Sequence, residues 1–166
     1  MINFDNAATT FPKPRSVRQA MEMAMLKYGG NAGRGGHQLT ERTSEQVFAA
    51  REEAAAFFGG KPENTIFCLN CTHALNLSIQ GIVQPNDHVI ISNLEHNAVL
   101  RPVAAMVRER GVQCSIAPVS VDDKETIAAF RARIRPNTRA IICTLASNVT
   151  GQILPYRELA ALCNEH

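Results

Sequence analysis

The chain has 166 residues, of which 45% are hydrophobic and 19% are charged, and its formal net charge is +2. These values exclude a disordered protein and predict one domain, or part of one, with a substantial buried core. The small net charge argues against an extended nucleic-acid or membrane-surface footprint, and no stretch approaches the roughly 20 apolar residues of a membrane span.

The cysteines favour a reducing compartment. Three of the five, Cys68, Cys114 and Cys143, lie in apolar runs typical of buried strands. Cys68 and Cys71 have the spacing of redox and metal motifs, but Cys68 belongs to a predicted strand rather than a helix start, so we assign the pair neither role. Because the first residues do not resemble a signal peptide, we expect a cytoplasmic protein.

The first 60 residues are predicted to form a loop and two helices. Small polar residues at positions 5–10 predict an extended loop, and helices are predicted over residues 15–27 and 40–58, each ended by a glycine pair. The glycine-rich residues 31–37 have few side chains to pack and are expected to cross the surface or an interface. Four apolar residues are expected on the buried face of the second helix: Val47, Phe48, Ala55 and Phe58.

A regular alternation of strands and helices begins after residue 60. Strands are predicted over residues 65–69, 88–92, 113–119 and 139–145, and helices over residues 73–83, 97–110, 122–134 and 155–164. This spacing indicates parallel strands joined by right-handed crossovers, so we predict an α/β fold with a mainly parallel sheet flanked by helices in three layers. Arginines 131, 133, 135 and 139 fall on one helix and the following turn and are interpreted as a solvated face, not a nucleic-acid patch.

The junction between strand and helix within residues 65–77 predicts an anion site. A strand that turns into a helix leaves free N–H groups beside the positive end of the helix dipole, which favours a phosphate. Thr72 is expected to cap this helix, and Thr72 with the N–H of His73 suits a phosphate. An ordinary helix cap is the alternative.

Two further strand ends carry polar side chains. Glu95, His96 and Asn97 follow the second strand, and Ser147 and Asn148 follow the fourth. Ligands in such sheets bind beyond the carboxyl ends of the strands, so these loops could converge at one crevice.

Two polar side chains in these loops, His96 and Asn148, could each have either a functional or a purely structural role. His96 could stack on a planar ring or act as acid and base, or be an ordinary loop histidine. Asn148 could bind a substrate carboxylate or a ring oxygen, or be a turn residue.

Five segments together resemble the cysteine desulfurases and their relatives in the class V aminotransferase family. They occupy residues 4–10, 31–40, 70–74, 95–98 and 147–151, in the family's order. The resemblance implies a pyridoxal 5′-phosphate (PLP) enzyme with the aspartate-aminotransferase fold, usually a homodimer. The glycine-rich segment is more similar to the branch that includes selenocysteine lyases than to the branch that serves nitrogenase.

The resemblance also implies roles for individual residues. Thr72 and His73 would hold the PLP phosphate, and His96, as a catalytic residue, would stack on the pyridine ring. Asn148 would face the cofactor oxygen or the substrate carboxylate. Four residues would line the substrate entrance: Asn6, Ala7, Ala8 and Thr9.

The implied reaction removes sulfur from L-cysteine and leaves alanine and an enzyme-bound persulfide. L-selenocysteine is the competing substrate, and a sulfur-acceptor protein and a part in iron–sulfur cluster assembly are implied with it. Arg34 would lie near the active site or the dimer interface. This chain departs from the family's pattern at two matched positions. His73 stands where family members often have an acidic residue, and Gly33 stands where one branch has a histidine.

In the family, three catalytic residues follow the last matched segment: the Schiff-base lysine, its acidic partner and the nucleophilic cysteine. No lysine of this chain matches the Schiff-base lysine. We therefore expect an N-terminal part of such an enzyme: residues 1–60 for the entrance and dimer contacts, and residues 61–166 for the first part of the PLP-binding domain. Alone it is expected to be inactive, and either to associate with itself or to be only marginally stable. A non-catalytic phosphate- or nucleotide-binding module and a scaffold domain are the alternatives.

Overall fold

A computed structural model describes residue 6 and residues 9–166. The chain divides into two compact units, Met1–Phe67 and Cys68–His166, which are considered separately. Ala7 and Ala8, which were expected at the substrate entrance, lie outside the described residues.

The first unit contains two helices, α1 (Arg15–Lys27) and α2 (Gln38–Phe58), and a short 3₁₀ turn, Pro62–Asn64. Helix α1 has the predicted bounds, and α2 begins two residues early because the ring of His37 caps it, accepting the N–H of Thr40. A Cβ atom at Gly30 would lie 2.6 Å from the Leu39 carbonyl oxygen, so only glycine fits where the chain passes the start of α2.

The predicted buried face of α2 is largely wrong. Ala55 is buried, but Val47, Phe48 and Phe58 are 39%, 44% and 83% exposed. Helix α1 likewise has no buried residue. The described part of this unit contains helices but no sheet, and two helices offer too little surface to cover both apolar stripes.

The second unit alternates four helices with three strands. In chain order they are α3 (Cys71–Ile82), β1 (His88–Ser92), α4 (Asn97–Arg110), β2 (Gln113–Ala117), α5 (Asp123–Arg131), β3 (Thr138–Ile142) and α6 (Tyr156–Asn164). The strands form one parallel sheet in the order β2–β1–β3. All five residues of the central strand β1 are buried, as expected where helices cover both faces of a parallel sheet.

Two apolar clusters show the three layers. Residues of α3 and α4 pack on Val89 and Ile91 of β1, whereas α5 and α6 pack on Ile90. Because neighbouring residues of a strand point to opposite faces, these two clusters lie on opposite sides of the sheet. The predicted α/β architecture of a helix-flanked parallel sheet is confirmed.

The predicted strand over residues 65–69 is wrong. These residues belong to no strand, and Ile66, Phe67 and Leu69 are 67%, 59% and 87% exposed. A strand needs a hydrogen-bonded neighbour, and among the described residues none pairs with this segment, within which the division between the two units falls. Apolar composition alone did not determine its pairing.

Two arginines of α5 and the turn after it, Arg131 and Arg133, have structural partners. Arg131 forms an ion pair with Glu165 at 2.7 Å, and Arg133 donates to the carbonyl oxygens of Ile116 and Ala129. Across the described part of the chain, none of the helices is long and apolar enough to cross a bilayer.

Candidate phosphate and cofactor site

The first turn of α3 carries the predicted phosphate anchor. Asn70, not Thr72 as predicted, caps the helix: its side-chain oxygen accepts the N–H of His73 at 2.9 Å. Thr72 is the second helical residue and is exposed. The N–H groups of Cys71 and Thr72 belong to the first turn, where the helix supplies no acceptor. An anion at this turn therefore meets two amides, whereas the His73 amide is already engaged.

Thr72 and His96 line the same cleft. The cleft lies between α3 and α4 and has a volume of about 540 Å³. Its polar lining also includes Asn76, Gln80 and Arg101. A hydroxyl, a helix start and a guanidinium on one cleft give it a positive character that suits an anionic ligand.

His96 caps α4 with its ring. Nδ1 accepts the N–H of Ala98 at 3.0 Å, so in the neutral imidazole the proton resides on Nε2. The residue is exposed, which leaves the ring face and Nε2 accessible to a ligand. Its orientation is set by the helix start and not by a core contact.

The structure does not bring Asn148 into this cleft. Asn148 is exposed and begins a turn over residues 148–150, after β3. The buried Ser147 holds the turn, because its hydroxyl oxygen accepts the N–H groups of Val149 and Thr150 at 3.3 and 3.2 Å. A role for Asn148 toward a cofactor or substrate stays a prediction.

Glu95 joins the loops that follow β1 and β3. Its Oε1 accepts the hydroxyl of Ser92, at the end of β1, and the N–H of Thr144 at 2.8 Å. The sequence places Glu95 after a predicted strand but indicates no role for it. Its position directly before His96 was the one available signal.

Two further hydrogen bonds connect the loops at this edge of the sheet. The Asn93 side-chain oxygen accepts the N–H of Val119 at 3.0 Å, and Gln152 Nε2 donates to the Ser120 carbonyl at 2.6 Å. The loops after all three strands are thus bonded to one another beyond the carboxyl ends of the sheet.

The remaining predicted site residues belong to the first unit. Asn6 Oδ1 accepts the N–H of Phe11 at 3.0 Å, and Thr9 accepts a hydrogen bond from the Lys13 ammonium group. The N–H of Arg34 donates to the Asn31 carbonyl at 3.0 Å. Their roles at a substrate entrance or an interface stay predictions.

A family model for "Aminotransferase class-V" matches residues 2–166. The chain belongs to the class-V aminotransferase family. The match extends over both units and includes the segments around Thr72, His96 and Asn148 on which the resemblance was based.

Individual relatives carry more specific names. A probable cysteine desulfurase of Vibrio cholerae is 31% identical over 160 residues, covering 93% of this chain and 39% of its own length. The human selenocysteine lyase is 29% identical over 96% of this chain and 40% of its own. The apo structure of cysteine desulfurase from Thermococcus onnurineus superimposes with a TM-score of 0.85 at 26% identity, over 98% of this chain and 41% of that one. The chain thus spans about 40% of the length of these relatives.

Proposed function

We propose that this chain supplies the phosphate anchor and the ring-stacking histidine of a PLP-dependent enzyme that removes sulfur from L-cysteine. The observation that supports this most directly is that Thr72, in the first turn of α3, and His96, at the cap of α4, line one cleft. The names of the relatives support the choice of cysteine, with L-selenocysteine as the second substrate.

The residues of the cleft fit the phosphate group of PLP. The exposed Thr72 hydroxyl and the first-turn amides are donors, and a phosphate dianion is an acceptor that gains from the positive end of the helix. A negatively charged ligand also meets no carboxylate among the residues that line this cleft. Asn70 competes only for the His73 amide.

When bound, PLP supplies an electron sink for the bonds around the substrate α-carbon. The chain's own residues bind and orient: Thr72 donates to the phosphate, and His96 presents its ring face to the pyridine. Since the helix amide engages Nδ1 of His96, Nε2 is the atom that can hold or release a proton near the ligand.

The rest of the enzyme's chemistry is proposed from the resemblance. Asn148 is proposed to meet the cofactor oxygen or the substrate carboxylate. Arg34 is proposed to meet the substrate, together with the entrance residues Asn6, Ala7, Ala8 and Thr9. The sulfur is proposed to pass through a persulfide to an acceptor protein, with iron–sulfur cluster assembly as one use, in the cytoplasm. The Schiff-base lysine and the sulfur-accepting cysteine are proposed to lie in sequence beyond the segments matched by this chain.

A homodimer is proposed through the first unit. Helices α1 and α2 leave many large apolar side chains exposed, among them Val17, Met21, Met25, Leu26, Phe48 and Phe58. An exposed apolar surface of this kind is typical of a protein interface.

PLP binding to the folded chain tests the proposal, with absorbance and PLP fluorescence as readouts. Thr72→Asp places a negative charge beside the phosphate and is expected to weaken binding at least about tenfold, whereas Thr72→Ser keeps the hydroxyl and binds as the wild type does. Ser78→Asp adds the same charge further along α3 and serves as the control. Equal PLP affinity in Thr72→Asp and wild type, or no binding by the folded wild type, would contradict the proposed function.

Borohydride treatment of the complex separates covalent from non-covalent binding. Because no lysine here matches the family lysine, we expect no reduction onto a specific lysine. Specific labelling of Lys61 or Lys124 would show that this expectation is wrong.

A further inference from the structure

The carboxylate of Glu95 is anchored at the end of the central strand. One of its oxygens accepts the hydroxyl of Ser92, which is 1% exposed, and also accepts the Thr144 N–H at 2.8 Å. Charged acceptors form stronger hydrogen bonds than neutral ones. Glu95 therefore holds together two neighbouring strand ends through their loops, β1 on one side and β3 on the other.

Both loops joined by Glu95 lead directly to predicted cofactor contacts. On the β1 side, the next residue is His96, whose ring is fixed by the Ala98 amide. On the β3 side, the Thr144 hydroxyl donates to the Ala146 carbonyl at 2.9 Å, and Ser147 then holds the turn that carries Asn148. Hydrogen bonds at Thr144 and at Ser147, joined through the Ala146–Ser147 peptide, thus connect Glu95 with the Asn148 turn.

The negative charge of Glu95 also acts on Cys143, directly after β3. Burial first, and then the negative charge of Glu95, raise the pKa of the Cys143 thiol to about 11. Cys143 directly precedes Thr144, so this effect agrees with a carboxylate that lies against the end of β3.

We propose that Glu95 is a positioning residue that holds His96 and the Asn148 turn in a fixed relation, so that both meet the same bound PLP. The inference rests on the proposed function. Glu95 itself does not contact the cofactor; it acts through the loops that follow β1 and β3. Its removal leaves the buried Ser92 hydroxyl and the Thr144 amide without their acceptor, which loosens both loops together.

The first test needs no PLP. In NMR spectra of the full chain, Glu95→Ala is expected to shift the Thr144 amide and the Asn148 side-chain amide and to speed hydrogen exchange at Thr144, whereas Glu95→Gln, which keeps one acceptor oxygen, gives smaller changes. Glu109→Ala, an exposed carboxylate on α4, is the control and changes neither. Unchanged Thr144 and Asn148 signals in Glu95→Ala would overturn the proposal whether or not PLP binds.

The second test is a double-mutant cycle on PLP affinity in the full chain. Asn148→Ala is expected to weaken binding by about tenfold in the wild type and by less than about twofold in the Glu95→Ala background, because the turn is no longer held in place. Additive effects of the two substitutions would overturn the role of Glu95 while leaving the proposed function intact. If the wild-type chain does not bind PLP, the proposed function is refuted. The NMR comparison would then decide whether Glu95 holds the two loops.

Discussion

The ring of His88 connects all three strands of the sheet. Its Nδ1 lies 2.8 Å from Thr138 Oγ1 on β3, and its Nε2 lies 2.9 Å from Ser115 Oγ on β2. His88 is fully buried, and Arg135 donates to both hydroxyl oxygens. The imidazole thus occupies a dry position beside a fixed positive charge, which favours its neutral form.

We expect the stability of the chain to fall as the pH falls below 6.5. Burial, and then the charge of Arg135, lower the pKa of His88 from its ordinary value of 6.5. Between this lowered pKa and 6.5, the unfolded chain binds a proton at His88 that the folded chain does not. The free energy of unfolding is therefore highest above pH 6.5, and it decreases as the pH falls until the pKa of the folded state is passed.

Urea unfolding between pH 4.5 and 8 measures this dependence. His88→Gln removes the titrating ring and is expected to flatten the profile between the two pKa values. The same slope in His88→Gln and wild type would show that another group is responsible.

Substitutions of the helix cap Asn70 can distinguish effects on helix stability from effects on phosphate binding. Asn70→Ala removes the acceptor of the His73 amide and is expected to cost about 1 kcal/mol in the free energy of unfolding. Asn70→Asp keeps the cap, because aspartate is as good an N-cap as asparagine, but it brings a negative charge to the proposed phosphate site.

Thermal unfolding and PLP titration of these variants check the prediction together. Asn70→Asp should retain wild-type stability and lose PLP affinity. If it instead binds PLP as tightly as the wild type, the phosphate does not lie at the first turn of α3.

The cysteines should differ in reactivity. Cys143 is half-buried with a pKa of about 11, so roughly one thiol in a thousand is ionised at pH 8. Iodoacetamide should therefore modify Cys143 far more slowly than the exposed Cys71, as followed by mass spectrometry. Glu95→Gln removes one cause of the raised pKa and should speed the reaction at Cys143 but not at Cys71. An unchanged reaction rate at Cys143 in Glu95→Gln would show that the charge of Glu95 does not contribute to the raised pKa of this thiol.

The chain is expected to associate with itself at high concentration. Met25 on α1 is 77% exposed among other apolar side chains, and contact with a second copy would remove this surface from water. Met25→Lys should weaken the concentration dependence of the sedimentation coefficient. Val121→Lys, which adds the same charge at a 96% exposed position in the other unit, is the control. A wild type that stays monomeric at every concentration would refute this expectation.

Local patterns were sufficient for most elements of the second unit. Strand β1 and helix α4 have the predicted bounds, because an apolar run of five residues and an amphipathic stretch ended by Gly111 are determined by neighbouring residues. Gly111 adopts φ 68°, the left-handed conformation that ends helices. The five matched segments, taken in their order along the chain, were likewise sufficient to predict the family.

The tertiary structure decided what the residues contact. Residues 65–69 have the composition of a strand, yet pairing depends on a neighbour that sequence does not specify, and they remain unpaired and largely exposed. The helix cap fell to Asn70 because its oxygen reaches the His73 amide, a matter of backbone geometry rather than residue type. The bond from Glu95 to Thr144 spans 49 positions, so it exists only because β1 and β3 are neighbours in the sheet. Sequence alone thus predicted most elements of the second unit and the family, while the order of the strands decided which loops are held together.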